Sequence, residues 1–475
     1  YVDPVKIDSI NQIVVDDLLS KLDPHSVFIP SKYLKEVNED LMGNFQGIGI
    51  EFQFFNDTLN VVNIIKDGPS DKAGIEIGDQ IIKANDTVSL TGKTITTEEI
   101  RKHLRGISGT KVTLTILRFG KTKKIEVTRG NIPVSTIDAA YMIAPTVGYI
   151  KINKFGDRTY EEFMQSLEKN LKAGMQSLIV DLRGNGGGLM TEATAIADEF
   201  LSDDKLIVYT EGSKSPRYDY KCRKEGLLEK GKIAVLVDET SASASEVLSG
   251  ALQDWDRATI IGRRTFGKGL VQQQYPLSDG SALRLTVARY FTPLGRNIQK
   301  PYSNKSKKDY EEELINRFHT QEKMLQDSVI DNPKKQVFKT PSGRKVYGGG
   351  GITPDILVGY DSSKKSAAFI RLINTNILNN FIYKYYVHNK SRLEKVTNTE
   401  ELNAIFKGND DDWNAFLQLV KQQNLLADSI SFSERNFLIQ QMKALLARQI
   451  WRNEGYFKIT NLQDSTVKKA MEIIK

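Results

Sequence analysis

The spacing of hydrophobic and polar residues divides the chain into four stretches. In the first, residues 1–40, apolar residues recur every three to four positions between residues 10 and 22, which predicts a helix that ends at Asp23-Pro24. A second short helix is expected after Pro30. We interpret this stretch as an N-terminal helical segment, and neither of its helices contains a recognisable chemical constellation.

Residues 41–131 alternate between apolar and polar positions, which is the pattern of half-buried β-strands. One helix interrupts the strands; it opens with Thr96-Thr-Glu-Glu99, a capping-box pattern, and ends near Leu104. This stretch is long enough to form a small β-rich domain. Its predicted strands, separated by Gly, Asp and Asn turns, are residues 49–55, 59–65, 111–118 and 123–128.

Residues 132–360 alternate strands with helices. Continuous apolar runs at residues 177–182 and 233–237 predict buried strands, and residues 258–262 and 283–290 predict two more. This alternation is typical of an α/β layer fold. The predicted helices of this stretch are residues 160–171, residues 246–255 and a charged surface helix at residues 309–326.

Residues 361–475 are polar and mostly helical, with helices predicted at residues 402–406, 413–424 and 434–451. The whole chain is therefore a mixed α/β and β multidomain protein with a helical C-terminal region. Its 475 residues, of which 40% are hydrophobic and 26% charged, are typical of about three soluble globular domains.

Composition and charge argue against several classes of function. The net charge of +7 is interspersed along the chain, whereas nucleic-acid binders concentrate their basic residues. No apolar run approaches the ~18 residues of a membrane span. A single cysteine, Cys222, and four scattered histidines predict no metal site. Because the sequence begins at Tyr1 without a signal sequence, we expect a processed or trimmed form.

A glycine-rich motif, Asp181-Leu-Arg-Gly-Asn-Gly-Gly-Gly188, follows the first predicted buried strand. Glycines let the backbone turn sharply and leave N–H groups open to a ligand. Such groups bind a phosphate or stabilise an oxyanion. A plain glycine-rich turn explains the motif equally well.

A serine-rich motif, Ser241-Ala-Ser-Ala-Ser-Glu246, joins strand 233–237 to the following helix. A serine at a helix N-terminus lies beside free N–H groups in a positive partial field, which suits a nucleophile. Ser243 and Glu246 also form an S-x-x-E capping box, and a cap requires no catalysis. The residues alone do not choose among the three serines.

A lysine-containing motif, Gly262-Arg-Arg-Thr-Phe-Gly-Lys-Gly269, nearly matches a phosphate-binding loop. However, Gly269 replaces the hydroxyl residue that would hold magnesium, and a β-like segment follows where a helix is required. Lys268 is instead a candidate for a partly desolvated amine, because burial lowers the pKa of a lysine and a neutral amine accepts a proton from serine. An ordinary surface lysine is the alternative. A Ser–Lys hydrolase needs glycines that stabilise an oxyanion, a serine at a helix start and a lysine that accepts its proton. The three motifs together match these requirements.

These motifs give the chain a family resemblance over residues 1–360. It resembles the carboxyl-terminal processing proteases, peptidase family S41, and is most similar to the envelope enzymes of Bacteroidetes-type bacteria. The matching segments, in order, are Leu22-Asp-Pro-His-Ser26, Gly47-Ile-Gly-Ile-Glu51, Pro69-Ser-Asp-Lys-Ala-Gly74 with Gly78-Asp79, the glycine-rich and serine-rich motifs above, Thr265-Phe-Gly-Lys-Gly269, and Tyr347-Gly-Gly-Gly-Gly-Ile-Thr-Pro-Asp355.

The resemblance, together with the helical pattern beyond residue 360, predicts four domains. Residues 1–40 would be the helical segment, residues 41–131 an inserted PDZ domain, residues 132–360 a crotonase-like or ClpP-like protease core, and residues 361–475 a helical region of open role. PDZ domains bind a C-terminal peptide along a sheet edge beside a helix, here residues 97–104. The implied carboxylate-binding loop contains Gly47, Ile48, Gly49 and Ile50.

The resemblance also assigns catalytic roles. Ser243 would be the nucleophile, Lys268 the general base that later protonates the leaving amine, and Gln272 the residue that orients the lysine. The backbone N–H groups expected to form the oxyanion hole are those of Ala244, Gly186 and Gly187.

The predicted function is a serine endopeptidase that captures protein or peptide substrates by their C-termini and cleaves them through an acyl-enzyme. It would need no metal, cofactor or nucleic acid, and by resemblance it would act in the periplasm or cell envelope, with its oligomeric state open. One alternative is a catalytically silent PDZ scaffold that binds C-termini. Another is a nucleotide-dependent P-loop enzyme, which the departures at the lysine-containing motif argue against.

Overall fold

The computed structural model describes residues 7–303, 308–313, 317, 336–360, 365–425 and 430–474. They form two compact units, each built from separate stretches of chain. The first unit comprises Tyr1–Gly43, Ser135–Ser362 and Asp464–Lys475, and the second comprises Asn44–Val134 and Ser363–Gln463. Most of the predicted charged helix at residues 309–326 lies outside the described residues. The four domain boundaries expected from the sequence stay predictions.

The strands of the described residues are numbered in chain order. They are β1 (Val27–Ile29), β2 (Asn44–Gly47), β3 (Ile50–Phe55), β4 (Thr58–Ile64), β5 (Gln80–Ala84), β6 (Val88–Ser89), β7 (Lys111–Arg118), β8 (Lys121–Thr128), β9 (Gly130–Pro133), β10 (Ile137–Ala144), β11 (Val147–Ile152), β12 (Ser177–Asp181), β13 (Leu206–Gly212), β14 (Ser215–Lys221), β15 (Ile233–Val237), β16 (Thr259–Gly262), β17 (Leu270–Pro276), β18 (Ala282–Phe291), β19 (Val337–Lys339), β20 (Lys345–Tyr347) and β21 (Ile356–Leu357).

The helices are numbered in the same way. They are α1 (Ile7–Ser20), α2 (Ser31–Met42), α3 (Pro69–Lys72), α4 (Thr97–Leu104), α5 (Thr159–Lys172), α6 (Met190–Asp198), α7 (Ala244–Asp254), α8 (Ala367–Ile373), α9 (Ile377–His388), α10 (Lys390–Leu393), α11 (Thr399–Ile405), α12 (Asp410–Gln422), α13 (Phe432–Thr460) and α14 (Ser465–Ile474). Helix α13 changes direction at Trp451 and Arg452, whose backbone angles are not helical.

The main sheet of the first unit has the strand order β10-β11-β12-β15-β16-β21. All neighbouring pairs from β11 to β21 are parallel, and β10 is antiparallel to β11. Parallel sheets are covered on both faces, which is why β12 and β15 read as continuous apolar runs. Phe163 of α5, Ile196 of α6 and Leu248 of α7 lie in the hydrophobic core with these strands. The predicted α/β layer fold is confirmed.

The order of the parallel strands brings the three sequence motifs together. The glycine-rich motif follows β12, the serine-rich motif follows β15 and the lysine-containing motif follows β16. Because the carboxyl ends of adjacent parallel strands lie at one edge of a sheet, the three loops meet there. A second sheet of the same unit, with the order β1-β18-β13-β14 and with β17 paired to β18, carries the residues that follow Lys268.

The second unit contains the predicted β-rich domain. Its sheet has the order β3-β4-β5-β7-β8, with β6 paired to β5, so that β3 is an edge strand among the described residues. The capping box predicted at the start of α4 is present: Glu99 N donates to Thr96 Oγ1 at 3.2 Å, and Thr96 N donates to Glu99 Oε2 at 2.8 Å. The helices α8 to α13 of this unit share a hydrophobic cluster of their own.

The last helix, α14, belongs to the first unit rather than to the helical part of the second. Asp464, just before it, forms an ion pair of 2.7 Å with Arg183 of the glycine-rich motif. At its other end, Ile474 O accepts a hydrogen bond of 3.3 Å from Ser177 Oγ. Within the described residues, each helix is either too short or too polar to cross a membrane.

Candidate active site

A cavity of about 380 Å³ opens where the three motif loops meet. Each of the three motifs contributes to its wall, and so does β17. The lining residues include Gly186, Gly188, Ser243, Ala244, Lys268, Gln272, Arg284 and Tyr290. The structure therefore places the predicted nucleophile, base and orienting glutamine around one space.

The structure distinguishes the three serines of the serine-rich motif. Ser241 and Ser245 are both 0% exposed. Ser241 Oγ donates to the carbonyl oxygen of Leu182, and Ser245 Oγ donates to that of Asn185, each at 2.9 Å. Ser243, in contrast, lines the cavity. Two serines thus hold the motif against the glycine-rich loop, and Ser243 is the one that lines the cavity.

The backbone of Ser243 has a conformation that is uncommon for a non-glycine residue. Its φ is 55° and its ψ is −114°, directly before the first residue of α7. Such a conformation costs roughly 1–3 kcal/mol and persists only where the surrounding structure enforces it. Strain of this kind is concentrated at functional sites, and here it is found at the residue that faces the cavity.

Lys268 lies in an environment that disfavours its charged form. Burial lowers the pKa of its amine, and the nearby positive charge of Arg284 lowers it further. Asp23 and Glu246 act in the opposite direction without reversing the shift. The Nζ atom donates a hydrogen bond of 3.0 Å to Gln272 Oε1. A lysine with a lowered pKa at a cavity wall is suited to accept a proton.

Gln272 connects Lys268 to the N-terminal segment. Its Nε2 donates a hydrogen bond of 2.6 Å to the backbone carbonyl oxygen of His25. The His25 ring is directed elsewhere, with Nε2 at 2.9 Å from the hydroxyl of Tyr310. A turn after Asp23, which follows the first predicted helix, thus supplies a backbone hydrogen-bond acceptor to a residue that lines the cavity. The match at Leu22-Asp-Pro-His-Ser26 was the only sequence signal for it.

Glu246 is a site residue that sequence reasoning treated only as a helix cap. Its buried carboxylate accepts the backbone N–H groups of Ser243, Gly267 and Lys268, at 2.8–2.9 Å. It also accepts the hydroxyl of Thr265 at 2.5 Å. Burial raises the pKa of this carboxyl, and the four hydrogen bonds counteract that effect. One side chain thus connects the loop of Ser243 to the loop of Lys268.

Tyr290 makes a second connection between the same loops. Its hydroxyl donates to the carbonyl oxygen of Ser243 at 3.1 Å and also lies against the carbonyl oxygen of Lys268. Burial raises the pKa of this phenol well above its usual value, so it stays a neutral donor. No sequence pattern singled out Tyr290, since only the pairing of β17 with β18 brings it to the cavity.

The glycine-rich turn lies against the start of α7. A Cβ atom on Gly187, whose φ is +99°, would lie 2.7 Å from Ser243 Cβ and 3.0 Å from the amide nitrogen of Ala244. Only glycine allows this close approach. The N–H of Gly187 donates to Asn185 Oδ1 at 2.8 Å, whereas Gly186 and Gly188 line the cavity.

The predicted peptide-binding residues lie in the second unit, beside a groove of about 620 Å³. Ile48, Gly49 and Ile50 line the groove together with Thr97 and Leu104 of α4. Gly47 is adjacent, since a Cβ there would lie 3.5 Å from the carbonyl oxygen of Leu104. Strand β3 therefore presents an edge beside a helix, which is the arrangement that binds an added peptide strand.

Among the residues that the structure describes, no group of three or more His, Cys, Asp or Glu side chains is arranged to hold a metal ion. Cys222 is buried, and burial raises the pKa of its thiol to about 12. Within these residues the cavity of the first unit thus offers a hydroxyl, an amine and backbone N–H groups for chemistry.

Comparison with known protein families finds one match around the cavity of the first unit and another around the groove of the second unit. Residues 146–310 match the family described as "Peptidase family S41", and residues 46–128 match "PDZ domain". Residues 368–452, within the helical part of the second unit, match a family of unknown function, DUF8443.

Curated relatives align over the first part of the chain. A "Probable CtpA-like serine protease" of Staphylococcus epidermidis is 37% identical over 294 residues, which is 61% of this chain and 59% of the relative. A "Carboxy-terminal-processing protease" of Bartonella bacilliformis is 38% identical over 295 residues, 60% of this chain and 66% of the relative. The chain thus spans about three-fifths of the length of the first curated relatives it matches.

A solved structure, "Photosystem II D1 C-terminal processing protease", is 29% identical to this chain. It covers 63% of this chain and 81% of its own, with a TM-score of 0.37. The chain thus contains an S41 peptidase domain and a PDZ domain at the expected positions, and proteins named carboxy-terminal-processing proteases are among those it is similar to.

Proposed function

We propose that this protein is a serine endopeptidase that uses Ser243 and Lys268 as a catalytic dyad and holds substrates by their C-termini in its PDZ domain. One observation carries the proposal. Of the three serines at the start of α7, the one that faces the cavity is Ser243, and the same cavity is lined by a lysine whose pKa is lowered. The match of residues 146–310 to peptidase family S41 supports the same conclusion.

The proposed reaction has two halves. In the first, the neutral amine of Lys268 takes the proton of Ser243 Oγ while that oxygen attacks the carbonyl carbon of the scissile peptide bond. Lys268 then returns the proton to the amide nitrogen as the C–N bond breaks, which leaves an ester on Ser243. In the second half, Lys268 takes a proton from water, the hydroxide attacks the ester, and the proton returns to Ser243 Oγ as the acid product leaves.

The oxygen of each tetrahedral intermediate needs hydrogen-bond donors. We assign this role to the backbone N–H of Ala244 and to an N–H from the turn at residues 186–188. The close approach of Gly187 to Ala244 supports this assignment, because it brings the turn beside the first residue of α7. Since the N–H of Gly187 itself is engaged by Asn185, the donor from the turn would be that of Gly186 or Gly188. Removing one such donor typically lowers kcat by roughly 10²–10³-fold.

Gln272 would act as a positioning residue. Its bond to Lys268 Nζ restricts the amine to one side of the cavity, and its bond to the His25 carbonyl keeps the amide in place. Neither bond requires Gln272 to touch the substrate.

Digestion of an unstructured protein with an apolar C-terminus tests the proposal. We expect cleavage by the wild type, in the presence of a metal chelator, and its loss in Ser243→Ala and Lys268→Ala. The matched controls are Ser213→Ala and Lys214→Ala, both exposed in the turn between β13 and β14, and they should cleave at the wild-type rate. Cleavage that survives both cavity substitutions would exclude the dyad, and binding without cleavage by the wild type would favour a PDZ scaffold.

We further propose that the protein acts in the cell envelope. The support is the resemblance of its motifs to envelope enzymes. Fractionation of the source cells is the test, and recovery of the protein from the cytoplasmic fraction alone would contradict the proposal.

A further inference from the structure

The groove beside β3 has a wall that the PDZ domain does not supply. Asn376 and Asn380 at the start of α9, together with Arg448 of α13, line it with β3 and α4. These three residues lie beyond the PDZ match at residues 46–128 and within the match to a family of unknown function at residues 368–452. The helical part of the second unit therefore shares this groove.

The two faces of β3 contact different parts of the unit. Ile50, Phe52 and Phe54 pack against the hydrophobic core of the PDZ domain. The alternate residues contact the helical part: Glu51 Oε1 lies 2.7 Å from Arg452 Nη2, and the ring centroid of Phe55 lies 5.5 Å from that of Tyr383. The PDZ domain thus supplies the apolar residues of the groove together with Arg101 and Arg105 at the end of α4, and the helical part adds polar residues on the other face of β3.

A peptide strand added to the edge of β3 would face both sides in turn. If its last side chain, position 0, enters the apolar side near Leu104, strand geometry directs positions −1 and −3 to the opposite face. That is the face of Glu51, where Arg448 lies. Positions −2 and −4 would remain on the side of α4.

The charges of the groove favour an acidic peptide. Its lining contains Arg101, Arg105 and Arg448 and a single acidic residue, Glu51. Glu51 is bound more closely by Arg452, at 2.7 Å, than by Arg448, at 3.5 Å. Arg448 is oriented by a 3.0 Å bond from Nε to Asn453 Oδ1, and its side chain keeps 43% exposure. Its guanidinium is therefore placed to receive a second carboxylate.

We propose that the helical part of the second unit makes the PDZ groove selective for C-termini that carry an acidic side chain at position −1 or −3, with Arg448 as the specificity-determining residue. The inference rests on the proposed C-terminal capture by the PDZ domain and adds a preference to it. A helical region of open role thereby becomes part of the substrate-recognition surface.

The test is peptide binding to the full chain carrying Ser243→Ala, which prevents turnover. Fluorescent peptides end in an apolar residue and carry Glu or Gln at position −1, −2 or −3. We expect Glu at −1 or −3 to bind roughly two- to fivefold more tightly than Gln, the range of an exposed ion pair. Any gain from Glu at −2, which would face Arg101 and Arg105 at the end of α4, should be the same with and without Arg448→Gln. Raising the salt concentration should reduce the preference.

Two arginine variants form a matched pair. Arg448→Gln and Arg452→Gln each remove one partner of Glu51, but only Arg448 lines the groove. The preference for Glu should disappear in Arg448→Gln and persist in Arg452→Gln, with melting temperatures confirming that both variants fold. A preference that survives Arg448→Gln, or that is lost equally in both, would overturn the inference.

A peptide with an amidated C-terminus distinguishes a failure of C-terminal capture from a failure of the proposed selectivity. If the amide binds as tightly as the free acid, or if no peptide binds, C-terminal capture itself fails and the inference fails with it. If only the free acid binds but Glu and Gln peptides bind alike, capture stands and the selectivity is refuted.

Discussion

Gln272 donates a hydrogen bond of 2.6 Å from its side-chain nitrogen to the backbone carbonyl oxygen of His25. The two residues lie far apart in the sequence, and strand pairing brings them together. Val27 of β1 pairs with Arg284 of β18, and β18 pairs with β17, which carries Gln272. The N-terminal segment is therefore part of the support of the proposed catalytic lysine.

We expect Gln272→Met to retain the fold and to lower kcat by roughly 10²-fold, the effect of a small misplacement of a catalytic group. Methionine has a similar length but provides neither the acceptor for Lys268 nor the donor for His25. Gln273→Met, at the exposed neighbouring position, is the control and should leave kcat unchanged. Steady-state kinetics on one peptide substrate would measure both, and equal kcat values for the two variants would show that Gln272 does not position the base.

Removal of the Arg284 charge should shift the pH dependence of the reaction. Its positive charge lowers the pKa of Lys268, so Arg284→Gln is expected to raise that pKa. Because the base must be neutral, activity rises with pH through the pKa of Lys268, and the acid limb of the kcat profile should move to higher pH in the variant. The plateau at high pH should change less than the rate on the acid limb. Arg289→Gln, at an exposed position of the same strand, should leave the limb in place, and a shift to lower pH in Arg284→Gln would refute the electrostatic argument.

Glu246→Gln should destabilise the first unit. The substitution replaces one acceptor oxygen by an NH₂ group that would face donors from the loops on either side. Leaving such buried donors without a partner costs about 1–3 kcal/mol each, and we expect a loss of about 2–4 kcal/mol in the free energy of unfolding. Urea unfolding measures this loss. Glu161→Gln, at an exposed helix position, is the control, and its free energy of unfolding should stay within about 0.5 kcal/mol of the wild-type value. An unchanged midpoint in Glu246→Gln would mean that the two loops are held together by other contacts.

Cys222 should be unreactive in the folded protein. Burial raises the pKa of its thiol to about 12, and the neighbouring Asp198 contributes to the shift. The thiolate, which is the reactive form, is therefore scarce at neutral pH. We expect a thiol reagent such as iodoacetamide to modify Cys222 slowly in buffer and rapidly in urea, and to leave proteolysis unchanged. Rapid modification of the folded protein together with loss of activity would argue for a cysteine in the mechanism.

Local patterns predicted the individual elements well. The apolar runs at residues 177–182 and 233–237 correspond to β12 and β15, and the capping box at Thr96 begins α4. These features depend on neighbours within a few residues, through strand burial or a side chain that caps its own helix. Helix α6 and the strands β13 and β14 had no comparably strong pattern and were not predicted.

The sequence by itself determined the parts of the proposed site: a glycine-rich turn, a serine at a helix start and a lysine between glycines, each placed at the end of a strand. Only the tertiary structure decided which serine lines the cavity, since the hydroxyls of Ser241 and Ser245 donate hydrogen bonds to carbonyl groups of the glycine-rich loop. It also decided that Glu246, Tyr290 and the His25 carbonyl contact the residues of the proposed dyad or their loops. The physical reason is that a sequence motif reflects only the local backbone geometry. Burial and hydrogen-bond partners depend on distant segments that only the pairing of strands brings together.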